Sequence, residues 1–186
     1  MFRELLVREF APYGSLTDEQ IDALESHYNL LIQWNARLNL TRIESVEDAV
    51  KLHYCESLFV GTKLPGGPLR IVDVGSGAGF PGVPIAILRP ECLITLVESH
   101  KRKGVFLREA SRNLKNVAVI TDRAENLQPN FDWVVSRAVS PRDVLKFKLA
   151  KNFGALVGTA DISKFDSEQA VPWGAGRHLA FHVELS

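Results

Sequence analysis

The first third of the chain has apolar residues at helical spacing. Residues 1–10 mix acidic and basic side chains among apolar ones, which indicates an amphipathic helix. Thr17-Asp18-Glu19-Gln20 has the spacing of a helix capping box, and the apolar residues that follow it at helical intervals are Ile21, Leu24, Tyr28, Leu31, Ile32 and Leu38. We therefore predict a long amphipathic helix after Thr17 and a second helix over residues 46–60.

After residue 64 the pattern changes, and short apolar runs alternate with helical segments. Leu64-Pro65-Gly66-Gly67-Pro68 interrupts the helical pattern and is interpreted as a linker. The predicted strands are residues 69–74, 93–97, 117–121 and 133–136, and the predicted helices between the first three are residues 82–88 and 101–113. This alternation indicates a parallel sheet covered on both faces. We predict an α/β fold, with a helical N-terminal region at residues 1–64 and the sheet at residues 65–186.

The junction between the first predicted strand and the helix after it is rich in glycine. It reads Asp73-Val74-Gly75-Ser76-Gly77-Ala78-Gly79-Phe80-Pro81-Gly82. Glycine permits a positive φ and a close approach of the backbone to a ligand, so we predict both for Gly75, Gly77 and Gly79. Pro81 has the fixed φ and the missing N–H that suit the first position of a helix. The turn is interpreted as a cofactor-binding loop.

Asp73 helps to distinguish between two kinds of cofactor. Gly77, Gly79 and Gly82 also satisfy the G-x-G-x-x-G spacing of dinucleotide-binding folds. A pyrophosphate binds where a helix N-terminus supplies positive potential, and a carboxylate before the loop opposes it. S-adenosylmethionine carries a sulfonium and an ammonium but no phosphate, so an acidic strand end favours it. A tight turn without a ligand is the structural alternative.

Polar residues also follow the other predicted strands, at the edge of the sheet where ligands bind in this class of fold. Glu98 ends the second strand about 20 residues after the glycines, where an acid commonly accepts hydrogen bonds from ribose hydroxyls; the alternative is an ordinary exposed acid. Asp122-Arg123-Ala124-Glu125 follows the third strand, and Ser136-Arg137 ends the fourth. For Arg137 at a buried strand end, the structural alternative is an ion pair with Asp73 or Glu98.

Length and composition fit a globular protein of one domain with an extension. The chain has 186 residues, of which 46% are apolar and 24% are charged, and a domain has about 150 residues. No apolar run approaches the roughly 20 residues of a membrane helix, so we expect a cytoplasmic protein without a membrane partner. Cys55 and Cys92 lie far apart in sequence and indicate neither a disulfide framework nor a zinc site.

Total charge does not indicate a nucleic acid partner, because 22 basic side chains balance 22 acidic ones. The basic residues are nevertheless concentrated in one segment, which contains Lys101, Arg102, Lys103, Arg108, Arg112 and Lys115. A phosphate backbone responds to such a local patch, although a solvated helix face has the same composition.

Four segments, taken in order, form a more specific pattern than the glycines alone. Besides the glycine-rich turn, they are Trp34-Asn35-x-x-Leu38-Asn39-Leu40-Thr41, Ser136-Arg137-Ala138 and Gly176-Arg177-His178-Leu179. From about residue 17 to its end, the chain resembles the small-subunit ribosomal RNA methyltransferase G family, also called glucose-inhibited division protein B. The resemblance implies S-adenosylmethionine-dependent methylation of N7 of a guanosine in bacterial 16S rRNA, on a Rossmann-like class I methyltransferase sheet.

The resemblance also implies a role for individual residues. It assigns the methionine end of the cofactor to the glycine-rich turn, the ribose to Glu98 and the adenine to the segment after the third strand. Arg137 borders both cofactor and base and is the candidate catalytic residue, and Arg123 and Arg137 are the candidates for binding the RNA. The predicted cofactor-binding residues are Asp73, Gly75, Gly77, Gly79, Phe80, Glu98, Ala124, Glu125 and Arg137.

The implied reaction needs neither a base nor a metal. Guanine N7 is an unprotonated lone pair at neutral pH, so the enzyme has to position it in line with the methyl group. We therefore expect Arg137 to contact the O6 edge of guanine or a phosphate, and His53 and His178 to make structural hydrogen bonds. Trp34 and Tyr28 are expected to make core or interdomain contacts, and the alternative for them is a stacking role. The target guanosine is expected in a loop or flipped outward, because N7 in an RNA helix lies in a deep, narrow groove.

Two features depart from the family pattern. Val157 stands where the family usually has lysine after the fifth strand, and the helix before the last two strands is absent or reduced to residues 161–166. These departures keep a non-catalytic RNA-binding or ribosome assembly protein open as an alternative. A nicotinamide-dependent oxidoreductase, which shares the glycine-rich turn, is a further alternative. The expected partner is 16S rRNA or the small ribosomal subunit, and the expected oligomeric state is a monomer.

Overall fold

A computed structural model of the protein describes residues 1–42 and 45–183, and its centre is a 7-stranded sheet. In spatial order the strands are β3 (Val117–Ile120), β2 (Leu93–Val97), β1 (Arg70–Val74), β4 (Trp133–Arg137), β5 (Asn152–Gly158), β7 (Arg177–Val183) and β6 (Ser167–Ala170). The first five run parallel to one another, whereas β7 is antiparallel to both β5 and β6. The predicted parallel sheet is confirmed, and strand β2 has the predicted bounds.

Helices precede the sheet and connect its strands. They are α1 (Phe2–Phe10), α2 (Asp18–Leu38), α3 (Val46–Ala49), α4 (Glu56–Lys63), α5 (Gly82–Leu88), α6 (Lys101–Ala110) and α7 (Pro141–Lys146), with a π-helical segment, Val50–Cys55, between α3 and α4. Helix α6 ends three residues before the predicted limit, at a Ser-Arg-Asn sequence whose serine and asparagine are weak helix formers. Pro81 lies immediately before α5 and not at its first position.

Side-chain caps define both ends of helix α2. At its start Gln20 N donates to Thr17 Oγ1 over 3.2 Å and Thr17 N donates to Gln20 Oε1 over 2.9 Å, which confirms the predicted capping box. At its end Asn39 adopts a left-handed conformation with φ 49°. The Asn35 amide then binds both backbone groups of Thr41, accepting from its N–H over 2.8 Å and donating to its carbonyl over 3.0 Å. These bonds place Thr41 against the helices that follow.

The N-terminal helices share a hydrophobic core with one face of the sheet. Leu24 of α2 and Leu58 of α4 are fully buried in the same cluster as Ile71 of β1 and Ile94 of β2. Phe153 of β5 and Val144 of α7 belong to a second cluster. The boundary predicted at residue 64 stays a prediction.

The C-terminal part of the sheet has a short connection between β5 and β6. A 3₁₀ segment, Thr159–Lys164, stands where the resemblance implies a helix, so the predicted reduction of this region is confirmed. Val157 lies on β5, where its Cα is paired with that of His178 on β7. Among the residues that the structure describes, no helix combines the length and the apolar character that crossing a membrane requires.

Candidate functional site

A cleft of about 780 Å³ opens at the carboxyl ends of the parallel strands. Strand β1 lies between β2 and β4 there, which is the point where the strand order reverses and where α/β sheets bind ligands. The lining includes Gly75 after β1, His100 after β2, Ala124 and Glu125 after β3, and Val139 after β4. The sheet therefore brings together residues that are far apart in the sequence, as the strand-end pattern predicts.

The glycine-rich loop has the backbone conformation that the sequence predicts. Gly75, Gly77 and Gly79 have φ angles of 72°, 56° and 91°. A Cβ atom on Gly75 would lie 2.6 Å from Val139 Cγ2, and one on Gly79 would lie 2.8 Å from Val83 Cγ2. At Gly77 the nearest atom to such a Cβ is a loop carbonyl 3.8 Å away. Internal packing thus accounts for glycine at two of the positions, whereas at Gly77 an added Cβ would make one ordinary van der Waals contact.

Asp73 caps the helix that follows the loop. Its Oδ2 accepts a hydrogen bond of 2.9 Å from the N–H of Gly82, the first residue of α5. The carboxylate is fully buried, and its Oδ1 has no hydrogen-bond partner among the described residues. Burial raises the pKa of Asp73 from 3.8 to about 7. The sequence analysis placed Asp73 beside a cationic ligand but did not predict this capping role.

Glu98 joins the glycine-rich loop to the start of α6. Its Oε2 accepts from Gly77 N over 3.0 Å, and its Oε1 accepts from His100 N over 2.8 Å. The residue is 8% exposed. Because each carboxylate oxygen can accept more than one hydrogen bond, Glu98 keeps acceptor capacity while it holds the loop.

Phe80 connects the loop to the N-terminal helices. It is buried, and its ring stacks on that of His53 with centroids 4.6 Å apart and an interplanar angle of 16°. The edges of Tyr54 and His27 complete the contact, with centroids 5.0 Å and 5.3 Å from that of Phe80. Phe80 is not part of the cleft lining, so the structure places this predicted residue behind the loop.

Arg137, at the end of β4, has partners that the sequence analysis did not predict. Its Nη1 lies 2.6 Å from His53 Nδ1 and 4.0 Å from Glu56 Oε2. The alternative of an ion pair with Asp73 or Glu98 is therefore wrong. The physical reason is that both of those acids are already held by backbone N–H groups, while the π-helical segment and α4 bring Glu56 to the end of β4. Burial lowers the pKa of Arg137 to about 10.

The imidazole of His53 is neutral and forms hydrogen bonds with two parts of the chain, Arg137 at the end of β4 and Thr41 after α2. Its Nδ1 faces Arg137, and its Nε2 lies 2.7 Å from Thr41 Oγ1. Because a guanidinium only donates hydrogen bonds, Nδ1 must accept and the ring proton resides on Nε2. Burial and the nearby Arg137 lower the pKa of His53 from 6.5 to about 3. The expected structural role of His53 is confirmed by these contacts.

Glu56 is a third buried acid of the site, beside Asp73 and Glu98. It is fully inaccessible to solvent, and Arg177 of β7 forms an ion pair with both of its carboxylate oxygens, with Nη2 2.6 Å from Oε2. Burial raises the pKa of Glu56, while Arg177 and Arg137 act in the opposite direction. The sequence does not single out Glu56, because the predicted helix over residues 46–60 also contains Glu47 and Asp48.

The other predicted residues lie around this centre. Arg123 is exposed in the cleft lining, beside a 3₁₀ turn, Ala124–Asn126, in which Ala124 is buried and Glu125 is exposed. Tyr28 stacks on Phe2, and Trp34 contacts Phe106 of α6, so both make the expected core contacts. His178 Nδ1 lies 3.2 Å from Glu168 Oε2.

Comparison with known proteins gives relatives over most of the chain. The model of the family described as rRNA small subunit methyltransferase G matches residues 20–158. Proteins named ribosomal RNA small subunit methyltransferase G from Klebsiella pneumoniae and Dictyoglomus thermophilum are each 35% identical over 92% of this chain, covering 84% and 78% of the relatives. The relative from Chromobacterium violaceum is 43% identical over 67% of this chain. The chain spans 61% of that relative and 58% of the one from Desulforamulus reducens.

Solved structures with little sequence identity share the fold. A SAM-dependent O-methyltransferase from Thermotoga maritima superposes with a TM-score of 0.56 at 14% identity, over 84% of this chain and 72% of the other. Aeropyrum pernix fibrillarin, solved with bound S-adenosyl-L-methionine, gives 0.53 at 15% identity, over 68% and 73%. The predicted Rossmann-like methyltransferase fold is confirmed. With its glycine-rich loop, its arginine at the end of β4 and these matches, the chain belongs to the rRNA small subunit methyltransferase G family.

Proposed function

We propose that this chain transfers a methyl group from S-adenosylmethionine to N7 of a guanosine in bacterial 16S rRNA. The observation that carries the proposal is the combination of family membership with a ligand-sized cleft beside the glycine-rich loop. We propose 16S rRNA or the small ribosomal subunit as the partner, the cytoplasm as the location and a monomer as the active form.

The residues around the cleft fit S-adenosylmethionine. The volume of about 780 Å³ lies within the range of small-molecule sites, about 300–1,000 Å³. A Cβ on Gly77 would meet only one atom within 4 Å, and Gly75 lines the cleft, so we propose that a methionine moiety approaches the backbone at these two glycines. We propose that Glu98 uses its remaining acceptor capacity to bind the ribose hydroxyls, and that Ala124 and Glu125, which line the cleft, contact the adenine.

Acidic groups near the loop favour a cation over a diphosphate. Asp73 is buried directly before the loop with one oxygen free of hydrogen bonds among the described residues, and Glu98 binds the loop itself. Since no part of Asp73 is exposed, its effect on a sulfonium would be electrostatic. Phe80, which lies behind the loop, would support the cofactor site by holding the loop in place.

The chain's own residues have to position the base and stabilise the redistribution of charge. When bound, the cofactor supplies the methyl group that guanine N7 attacks. No proton has to be removed from N7, and orientation alone can contribute roughly 7–11 kcal/mol. We propose that Arg137 orients the base through its O6 edge or through a phosphate, with Arg123 as a second RNA contact. Neutral His53 accepts from Arg137 and leaves its positive charge intact.

Methylation of unmodified small ribosomal subunits tests the proposal. The expected result is incorporation of label from S-adenosylmethionine, located at guanine N7 by mapping, with strongly reduced transfer in Arg137→Ala. Calorimetric titration with S-adenosylmethionine should show binding in both proteins. No heat at protein concentrations near millimolar would exclude the cofactor, and unchanged transfer by Arg137→Ala would exclude the role of Arg137.

One observation favours a second function. The 3₁₀ segment between β5 and β6 and the valine at position 157 are departures in the region expected to bind RNA. A protein that keeps the cofactor and the RNA but does not turn over would bind S-adenosylmethionine and show no transfer in the same assay. A nicotinamide-dependent oxidoreductase has no such support, because family membership and the antiparallel β7 between β5 and β6 differ from the dinucleotide-binding sheet.

A further inference from the structure

A second concave surface lies beside the cofactor cleft, between helices α2 and α6. This α2–α6 groove has a volume of about 510 Å³. Its lining consists of Gln33, Trp34, Arg37, Leu38, Arg102 and Val105. None of the residues assigned above to the cofactor or the target base lines it.

The charge of the groove is positive and comes from both helices. Arg37 of α2 and Arg102 of α6 are exposed, and neither forms an ion pair with another described residue. Two other arginines of the α6 region are engaged: Arg108 donates to Thr121 Oγ1 over 2.6 Å, and Arg112 lies 3.4 Å from Glu109. Among the residues that the structure describes, no acidic side chain is part of the groove lining. Two uncommitted guanidinium groups facing one groove suit phosphate oxygens.

The floor of the groove is apolar and includes an aromatic ring. Val105 is 52% exposed although it lies on the face of α6 next to α2. Trp34 is half-buried and rests on Phe106 with centroids 5.7 Å apart, whereas Trp133 and Trp173 are each only 6% exposed. A fixed aromatic surface between cationic groups is the arrangement that binds unpaired nucleotides without sequence preference.

The groove and the cofactor cleft meet at the start of α6. Lys101 belongs to the lining of the cleft, and the next residue, Arg102, belongs to the lining of the groove. Consecutive Cα atoms are about 3.8 Å apart, so the two concavities border adjacent residues of the same helix. The two concavities are therefore placed to hold neighbouring parts of one ligand.

We propose that the α2–α6 groove is a subsite for an unpaired nucleotide that flanks the target guanosine. Its base packs against Trp34, and its phosphates contact Arg37 and Arg102. The identity of the RNA rests on the function proposed above, whereas binding of single-stranded RNA at this groove is independent of methyl transfer. Charge complementarity selects RNA as the occupant over an apolar peptide.

Binding of a short, unstructured oligoribonucleotide tests the subsite. Arg37→Ala/Arg102→Ala should weaken binding at least tenfold at 0.1 M salt. It should also reduce the slope of log K against log salt by about 1.4, because each phosphate contact on a single strand contributes roughly 0.7. Arg142→Ala/Lys151→Ala removes the same charge from exposed positions outside the groove and outside the basic segment of residues 101–115, and is the matched control. It should change affinity less than threefold.

Substitutions of the aromatic ring separate packing from charge. Trp34→Leu should weaken RNA binding about fivefold or more, and Trp34→Phe should retain most of the affinity, because stacking accepts any aromatic ring. Bound RNA should quench tryptophan fluorescence in the wild-type chain, since Trp34 is the tryptophan with the accessible surface. The proposal would be overturned if the control double variant lost as much RNA affinity as Arg37→Ala/Arg102→Ala. It would also be overturned if Trp34→Leu kept the full RNA affinity.

Failure of this inference can be distinguished from failure of the proposed function. With methyl transfer intact, Arg37→Ala/Arg102→Ala should raise KM for the RNA substrate and leave kcat and the affinity for S-adenosylmethionine unchanged. An unchanged KM would refute the subsite while the methyltransferase stands. If the wild-type chain binds no S-adenosylmethionine but loses RNA affinity in the double variant, the subsite stands and the methyltransferase does not.

Discussion

Replacement of His53 by glutamine tests the neutral hydrogen-bonded link at the centre of the site. His53 is 7% exposed, accepts from Arg137 at Nδ1 and donates to Thr41 at Nε2. The amide of glutamine can also accept and donate one bond each, but it does not titrate. The substitution therefore removes the proton-binding behaviour of the side chain while it retains the chemistry of both contacts.

The pKa of His53 fixes the sign and the size of the effect. Burial lowers its pKa from 6.5 to about 3 in the folded chain. Since the folded pKa is the lower one, this contribution to stability is fully present above pH 6.5 and is lost as the pH falls towards 3. As the pH falls from 8 to 5, protonation of this imidazole in the unfolded state lowers the free energy of unfolding by about 2 kcal/mol. The His53→Gln variant should not show this decrease in the free energy of unfolding.

Urea unfolding followed by tryptophan fluorescence at pH 5, 6, 7 and 8 measures the difference. The drop in unfolding free energy from pH 8 to pH 5 should be smaller by about 2 kcal/mol in His53→Gln than in the wild-type chain. His100→Gln, at an exposed position, is the control and should follow the wild type. If His53→Gln keeps the whole wild-type pH dependence, the assignment of a neutral, buried imidazole is wrong.

The remaining predictions concern the loop and the buried acids. Gly75→Ala, at φ 72° and with its Cβ 2.6 Å from a valine methyl, should cost about 1–3 kcal/mol and weaken S-adenosylmethionine binding in calorimetry, unlike Gly66→Ala, whose Cβ meets nothing within 4 Å. Because the pKa of Asp73 is raised to about 7, its stabilising contribution is lost as the pH rises from about 4 through 7. As the pH rises from 5 to 8, the free energy of unfolding of Asp73→Asn, measured in urea, should therefore increase relative to that of the wild type. A difference between the two proteins that does not change with pH would contradict this. Glu56→Gln leaves the largely buried Arg137 and the partly buried Arg177 without their buried counterion and should cost about 3–5 kcal/mol in the same assay, whereas the exposed Glu4→Gln should cost less than about 1 kcal/mol.

The sheet and the loop could be predicted because their signals are local. A run such as residues 133–136 is buried on both faces, so its largely apolar composition identifies it without knowledge of its neighbours. Likewise, the positive φ of Gly75 and Gly79 follows from residue type at a strand-to-helix turn. Helix ends depend on single capping contacts. The start of α2 could be predicted because Thr17 and Gln20 form a capping box that is visible in the sequence, whereas no such motif marks the early end of α6.

The partners of Arg137 could not be predicted because they lie far away along the chain. His53 is 84 positions from Arg137, and Glu56 is 121 positions from Arg177. The sequence analysis considered only acids that parallel strands bring to the same edge, which are Asp73 and Glu98. Both of these are engaged with backbone N–H groups. Glu56, the acid that approaches Arg137, lies on a helix, and its complete burial is the feature that indicates a role at the site.

The site consequently depends on both sides of the boundary predicted at residue 64. One side chain from the helical region, His53, contacts the ring of Phe80 in the loop and the guanidinium of Arg137 at the end of β4. A movement of the loop that displaces Phe80 would therefore change the position of Arg137 through a single rigid ring. Because Glu56 holds the same arginine from the next turn of the helical region, the N-terminal helices fix the geometry between the cofactor loop and the group that orients the base.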